Sequence, residues 1–281
     1  MTPAAIESAF RAACELDVVA LKPGNVRDGA PFDDMVADDF RRSAAACAPV
    51  LARAGAPGRS IGETILDAVT ASRRVVQCNT NLGIVLLAAP LCCAAARYGD
   101  LRRGVAAVLD ALTQADARDA FAAIRLANPG GLGRRPRHDV ASAPTVTLRE
   151  AMCEAAADDL VARQYCASYQ DVFARGLPAW HRAVASLGDE RWATTFVYMQ
   201  FASDFPDSHV ARRRGGDAAR EVREQARTLS VHDQEDPTRL PERVDALLAW
   251  DAQLRRAGRN PGTSADLTVA TILAAKLTPT V

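Results

Sequence analysis

Lysine is almost missing from this chain. Lys22 and Lys276 are the only two in 281 residues, so arginine supplies the other 32 of its 34 basic side chains. That bias reflects a GC-rich coding sequence as much as a function. An excess of either charge is missing too, because 34 acids balance the 34 bases. No overall field therefore draws the chain to nucleic acid or to an anionic membrane. There is no CxxC among the seven cysteines, and no HxxxH among the four histidines. Cys14, Cys47, Cys92, Cys93, Cys153 and Cys166 fall in alanine-rich helical pattern. They are expected to be buried free thiols of a reducing compartment, not zinc ligands or disulfides. No GxGxxG turn or Walker loop occurs, and the GxSxG letters at Gly58–Gly62 follow no strand and fall on a helix cap, which argues against a Rossmann dehydrogenase or a serine hydrolase. The longest run without charge or strong polarity, Leu82 to Ala96, is 15 residues and contains Pro90. It is too short to span a bilayer and reads instead as a helix buried on all sides. Met1 to Val19 carries Glu7, Arg11, Glu15 and Asp17 and so does not read as a signal peptide. The expectation is a soluble, cytoplasmic protein.

Alternating β-branched runs are nearly absent as well. Apolar spacings of three and four predict helices over roughly 3–20, 36–54, 61–76, 81–97, 101–113, 116–126, 147–175, 178–187, 189–203, 217–229, 241–257 and 265–277. Ser60-Ile-Gly-Glu63 is a capping box, and Thr147 and Ser264 suit N-caps. Apolar residues at 49 % are enough for a core. No linker or repeat divides the chain, so residues 1–281 form one all-α domain in this reading.

The chemistry gathers at the helix joints. Asn79, Thr80 and Asn81, with Gly83, stand at the mouth of the apolar helix. A helix N-terminus offers unpaired N–H groups and a partial positive charge. The three polar side chains could present groups to a ligand, and Gly83 would admit it close to the backbone. The longest irregular stretch, Asn128 to Thr145, holds Gly130, Gly131, Gly133, Arg134, Arg135, Arg137 and His138. It suits a lid over phosphate. On the helix from Thr147, Glu150, Glu154 and Asp158 share one face with Asp159 beside them, a cluster that Mg²⁺ would relieve. Asp159 also has Arg163 four residues on as an ordinary ion-pair partner. His209 lies between an acid and the Arg212–Arg214 run, which reads as a solvated basic turn unless it belongs to a site. His181 and His232 read as structural or exposed.

Seven segments in order resemble the triphosphoribosyl-dephospho-CoA synthase family. They are KPGNV (Lys22–Val26), DM with F..S (Asp34, Met35, Phe40, Ser43), IGE (Ile61–Glu63) and NTNLG (Asn79–Gly83). They continue with Glu150–Tyr165, DSH (Asp207–His209) and NPGTSADL (Asn260–Leu267). The resemblance covers most of the chain and implies an all-helical transferase. Such an enzyme displaces adenine from ATP with a hydroxyl of dephospho-CoA, releasing adenine. It implies Asp34, Asp158 and Asp159 as catalytic groups, and Glu63, Asp158 and Asp159 as ligands of Mg²⁺. Substrate contacts would fall to Lys22, Gly24, Asn79, Thr80, Asn81, Gly83, Arg134, Arg135, Asp207, His209, Ser264 and Asp266. Partners would be a nucleotide and a small-molecule acceptor, with a homodimer compatible. The chain departs from the family's usual NTHKG at Asn81 and Leu82, and it lacks a histidine before Asp34. This NTNLG form resembles a branch tied to one-carbon metabolism and tetrahydromethanopterin-type cofactor synthesis. That leaves a related nucleotide-dependent enzyme, or a non-catalytic helical binding protein, as alternatives.

Overall fold

The computed structural model describes residues 1–32, 35–131, 133, 137–230 and 236–278. Among these, fourteen α-helices and no extended strands are present. Their order is α1 (Pro3–Val19), α2 (Ala37–Leu51), α3 (Ile61–Val75), α4 (Leu82–Arg97), α5 (Leu101–Asp110), α6 (Gln114–Ala127) and α7 (Leu148–Ala155). The second half holds α8 (Leu160–Cys166), α9 (Leu177–Leu187), α10 (Glu190–Asp204), α11 (Ser208–Arg214), α12 (Gly216–Ser230), α13 (Val244–Arg256) and α14 (Gly262–Leu277). No single described helix is long and apolar enough to cross a membrane.

Two buried helices organise the rest. Helix α4 packs against α14, with α1, α2, α3, α5 and α8 around it. Every α4 residue from Ile84 to Ala95 is buried, as the apolar run predicts. Pro90 lies inside this helix and has no N–H to give, so the carbonyl of Leu86 loses its partner one turn back. The hydroxyl of Tyr165 donates to that carbonyl at 2.6 Å, and Tyr169 donates to the neighbouring Leu87 carbonyl at 2.9 Å. Both tyrosines are fully buried. Tyr165→Phe should therefore strand a buried carbonyl and cost about 1–3 kcal/mol in a denaturant melt, with packing otherwise unchanged. Helix α14 tolerates its buried Thr268 and Thr271 because their hydroxyls bond back to the carbonyls of Ser264 and Leu267.

The expected long helix over 147–175 is broken. Helix α7 ends at Ala155, and Asp159 starts α8 by accepting from the amides of Val161 and Ala162 at 2.9 and 3.0 Å. A left-handed pair, Ser168 and Tyr169, follows. A π-helical turn, Val172–Gly176, then feeds into α9 at the position before Pro178. Glu150, Glu154 and Asp158 consequently share no continuous helical face, and Glu150 turns back to cap Thr147. The break also corrects the cysteine reading. Cys153 and Cys166 form a disulfide with their Cα atoms 4.8 Å apart, because the chain doubles back between them. The other five cysteines form no disulfide, and four of them are buried.

Candidate active site

A cavity of about 650 Å³ opens where the N-terminal ends of α4 and α14 meet α6, α7, α8 and α11. That size falls within the usual range for ligand pockets. Asn79, Thr80, Asn81 and Gly83 line it, as do Asp158, Asp159, His209 and Asp266. So the polar joint and the DD pair, far apart in sequence, share one cavity.

Most of the polar joint is engaged in holding the wall. Asn81 accepts from Ser72 at 3.0 Å and donates to the Cys47 sulfur at 3.2 Å. Thr80 shares a 2.6 Å hydrogen bond with Ser43, and Asn79 accepts from the Leu82 amide at 3.3 Å. These bonds tie the start of α4 to α2 and α3. The three side chains thus hold the α4 terminus in place at the cavity edge. Gly83 is glycine for a steric reason: an added Cβ would lie 2.1 Å from Oδ2 of Asp266.

Acids and arginines alternate around the rest. Asp159 caps α8 with one oxygen and meets Arg212 Nη1 with the other at 2.5 Å. The expected Asp159–Arg163 pair does not form, since a cap residue directs its carboxylate into its own helix terminus. Arg163 instead meets Asp171 at 2.9 Å. Arg212 retains a buried Nε with no hydrogen-bond partner. Arg73, Arg137 and Arg213 also line the cavity, and Arg137 pairs with Glu154. The basic run is therefore part of a site wall and not only a solvated turn. Its signal was Asp207, whose cap makes 208–214 a short helix. Asp207 accepts from His209 N and Val210 N with one oxygen, and from the amide and hydroxyl of Ser264 with the other. It thereby fastens α11 to the first turn of α14. Asp207 and Ser264 are buried and stand behind the wall; neither lines the cavity. Ser264 lies within α14, whose cap position is Pro261. His209 is held neutral by burial, which pushes its pKa down.

Lys22 is also behind the wall. Its fully buried ammonium meets Asp17 at 2.6 Å and donates to Asn25 at 2.5 Å, and Asn25 donates to Asn260 at 2.8 Å. Asp17, Asn25 and Asn260 line the cavity floor, which sequence reasoning missed. Gly24 adopts a left-handed φ of 78° and gives its amide to Asp251 at 2.7 Å, so it shapes the Lys22 turn. Glu63 receives the Ser60 amide in its capping box and does not line the cavity. No group of three or more His, Cys, Asp or Glu among the described residues is placed to hold a metal ion. With Glu63 remote and both Asp159 oxygens engaged, the expected magnesium ligands do not assemble. Asp34, Arg134 and Arg135 lie outside the described residues, as does His232. The described part of the glycine loop, including Asn128, Gly130, Gly133 and His138, runs along the cavity rim.

The same architecture occurs elsewhere. A protein from Archaeoglobus fulgidus proposed to be a triphosphoribosyl-dephospho-CoA synthase superposes with a TM-score of 0.65 at 24 % identity. The match covers 84 % of this chain and 97 % of that one, and it establishes a common fold. No curated protein sequence matches the chain. A family model for CitG, ATP:dephospho-CoA triphosphoribosyl transferase, matches residues 3–280. That span takes in both buried helices and every described wall of the cavity, so the chain belongs to the ATP:dephospho-CoA triphosphoribosyl transferase family and is a transferase of that type.

Proposed function

We propose that the cavity binds Mg-ATP and transfers its triphosphoribosyl group to the hydroxyl of a small-molecule acceptor. The observation that carries this reading is Arg212, anchored by Asp159 with an unpartnered Nε, beside the start of α4. An arginine with an unused donor, held next to a helix N-terminus, suits a phosphate chain. Arg213, Arg137 and Arg73 add charge around it, while Phe40, Phe121 and Met152 offer apolar surface to a purine. Magnesium would arrive with the triphosphate as part of the substrate, the mode in which this ion takes phosphate and water oxygens. As the C1′–N9 bond breaks, the ribose becomes oxocarbenium-like. The cavity's carboxylates stabilise that charge. Asp158, which lines the cavity and is exposed, would take the proton of the incoming hydroxyl.

The acceptor differs from dephospho-CoA in a second reading, which one observation favours. Leu82, where the family usually has lysine, lines the cavity and puts an apolar side chain where a cation would otherwise meet an anion. An acceptor of one-carbon cofactor synthesis with fewer phosphates fits that change. Calorimetry tests the shared core of both readings. Mg-ATP should bind the wild type, and Arg212→Ala should weaken binding at least about tenfold, one charge-assisted contact's worth. Equal affinities would remove the arginine wall from the nucleotide site.

A further inference from the structure

The charges of three carboxyl groups reach Asp266 on α14: Asp17 on α1, Asp159 before α8 and, behind the wall, Asp207 before α11. Asp17, Asp159 and Asp207 are engaged by charged or hydrogen-bonding partners. Asp17 has Lys22, Asp159 has Arg212 and two amides, and Asp207 has three amides and a hydroxyl. Asp266 is different. No described residue donates a hydrogen bond to it, its carboxyl lies against Gly83 at the start of α4, and it faces the cavity. We propose that Asp266 is a catalytic acid, carrying the proton that the departing purine takes. This rests on the transfer reading above and deepens it.

The surroundings favour the protonated form. Burial raises the Asp266 pKa well above the ordinary carboxyl value, and the charges of Asp17, Asp207 and Asp159 raise it further, with Arg212 opposing. Lys22 lies on the same side but is committed to Asp17, and His209 on α11 is neutral by burial. The chemistry needs such a group. When the C1′–N9 bond breaks, its electron pair goes to the purine, and a ring nitrogen takes the Asp266 proton. The acceptor oxygen then bonds C1′ and its proton passes to Asp158. The net change is adenine and the triphosphoribosylated acceptor, and solvent returns both carboxyls to their starting state. Holding the acid neutral has a cost to the fold. The folded state keeps a proton that the unfolded chain gives up above about pH 4. Stability is therefore present below that pH and lost as pH rises toward the folded value.

Asp266→Asn separates the outcomes, since the amide keeps the shape without the proton. With Mg-ATP and dephospho-CoA, adenine release should fall about 10²–10⁴-fold. Mg-ATP affinity should be retained, and the melting temperature at neutral pH should be equal or higher. A ribose triphosphate bearing 4-nitrophenoxide at C1 leaves without protonation, so the variant should turn it over at close to the wild-type rate. The infrared difference between wild type and D266N at pH 7 should contain the carbonyl stretch of a protonated carboxyl. Adenine release unimpaired in D266N, equal loss on both substrates, or a carboxylate band in its place would each overturn the assignment alone. No adenine release by the wild type would overturn the transfer reading, and the assignment with it.

Discussion

Replacing Lys22 with methionine should cost the fold about 3–5 kcal/mol, the largest single-site effect on stability expected here. The ammonium is fully buried and stands 2.6 Å from Asp17, itself 2 % exposed. Burial pushes the lysine pKa down and the aspartate pKa up, and each partner's charge works against that shift. Removing the cation leaves Asp17 desolvated at the cavity floor with no counter-charge. The pair itself need not add much, because two charges lose their hydration to form it. Asp17→Asn combined with Lys22→Met should therefore recover most of the loss. Urea melts of both singles and the double test this. A double as unstable as Lys22→Met alone would mean that lysine packing, not charge, sets the cost. The asparagine pair, Asn25 and Asn260, should keep the floor closed in the double, since their 2.8 Å bond does not involve the lysine.

Gly83→Ala should nearly abolish turnover. The added Cβ would stand 2.1 Å from Oδ2 and 2.5 Å from Cγ of Asp266, distances no real contact survives. Either the carboxyl swings away or the start of α4 moves. Overpacking of this kind costs about 1–3 kcal/mol. Displacement of about 1 Å at a reacting group costs on the order of 10²-fold in rate. Pairing the change with Asp266→Ala makes room again. That double variant should regain the melting temperature of wild type without regaining activity. Wild-type turnover in Gly83→Ala would show that this corner of the cavity takes no part in the reaction.

Composition and spacing made much of this readable in advance. The uncharged run beginning at Leu82 could only be a buried helix, and the Ser60 and Thr147 caps formed as their side chains predict. The seven ordered segments pointed to the family that residues 3–280 match. What stayed hidden was hidden by alanine. Between Met152 and Leu160 there is no glycine or proline to mark a break, and helical spacing runs straight through. The only signal is Asp158-Asp159, read as a helical charge cluster when Asp159 is in fact a cap. In an unbroken helix Cys153 and Cys166 would stand about 20 Å apart, so a disulfide was not in view. The same break sends Asp159 to Arg212 and Arg163 to Asp171, replacing a neighbour in sequence with one in space. Lys22 was read as a ligand group from its motif, whereas its work lies behind the wall. Nothing in spacing shows that Asp17, five residues earlier on α1, waits for it there.

The central claim is that this cavity breaks the bond between ribose and adenine. The most direct measurement is mass spectrometry of a reaction holding the protein, Mg-ATP and dephospho-CoA. Free adenine should appear in equal amount with an acceptor heavier by one triphosphoribosyl group, and Gly83→Ala should produce neither. ADP, AMP or pyrophosphate formed from ATP in place of adenine would contradict the account.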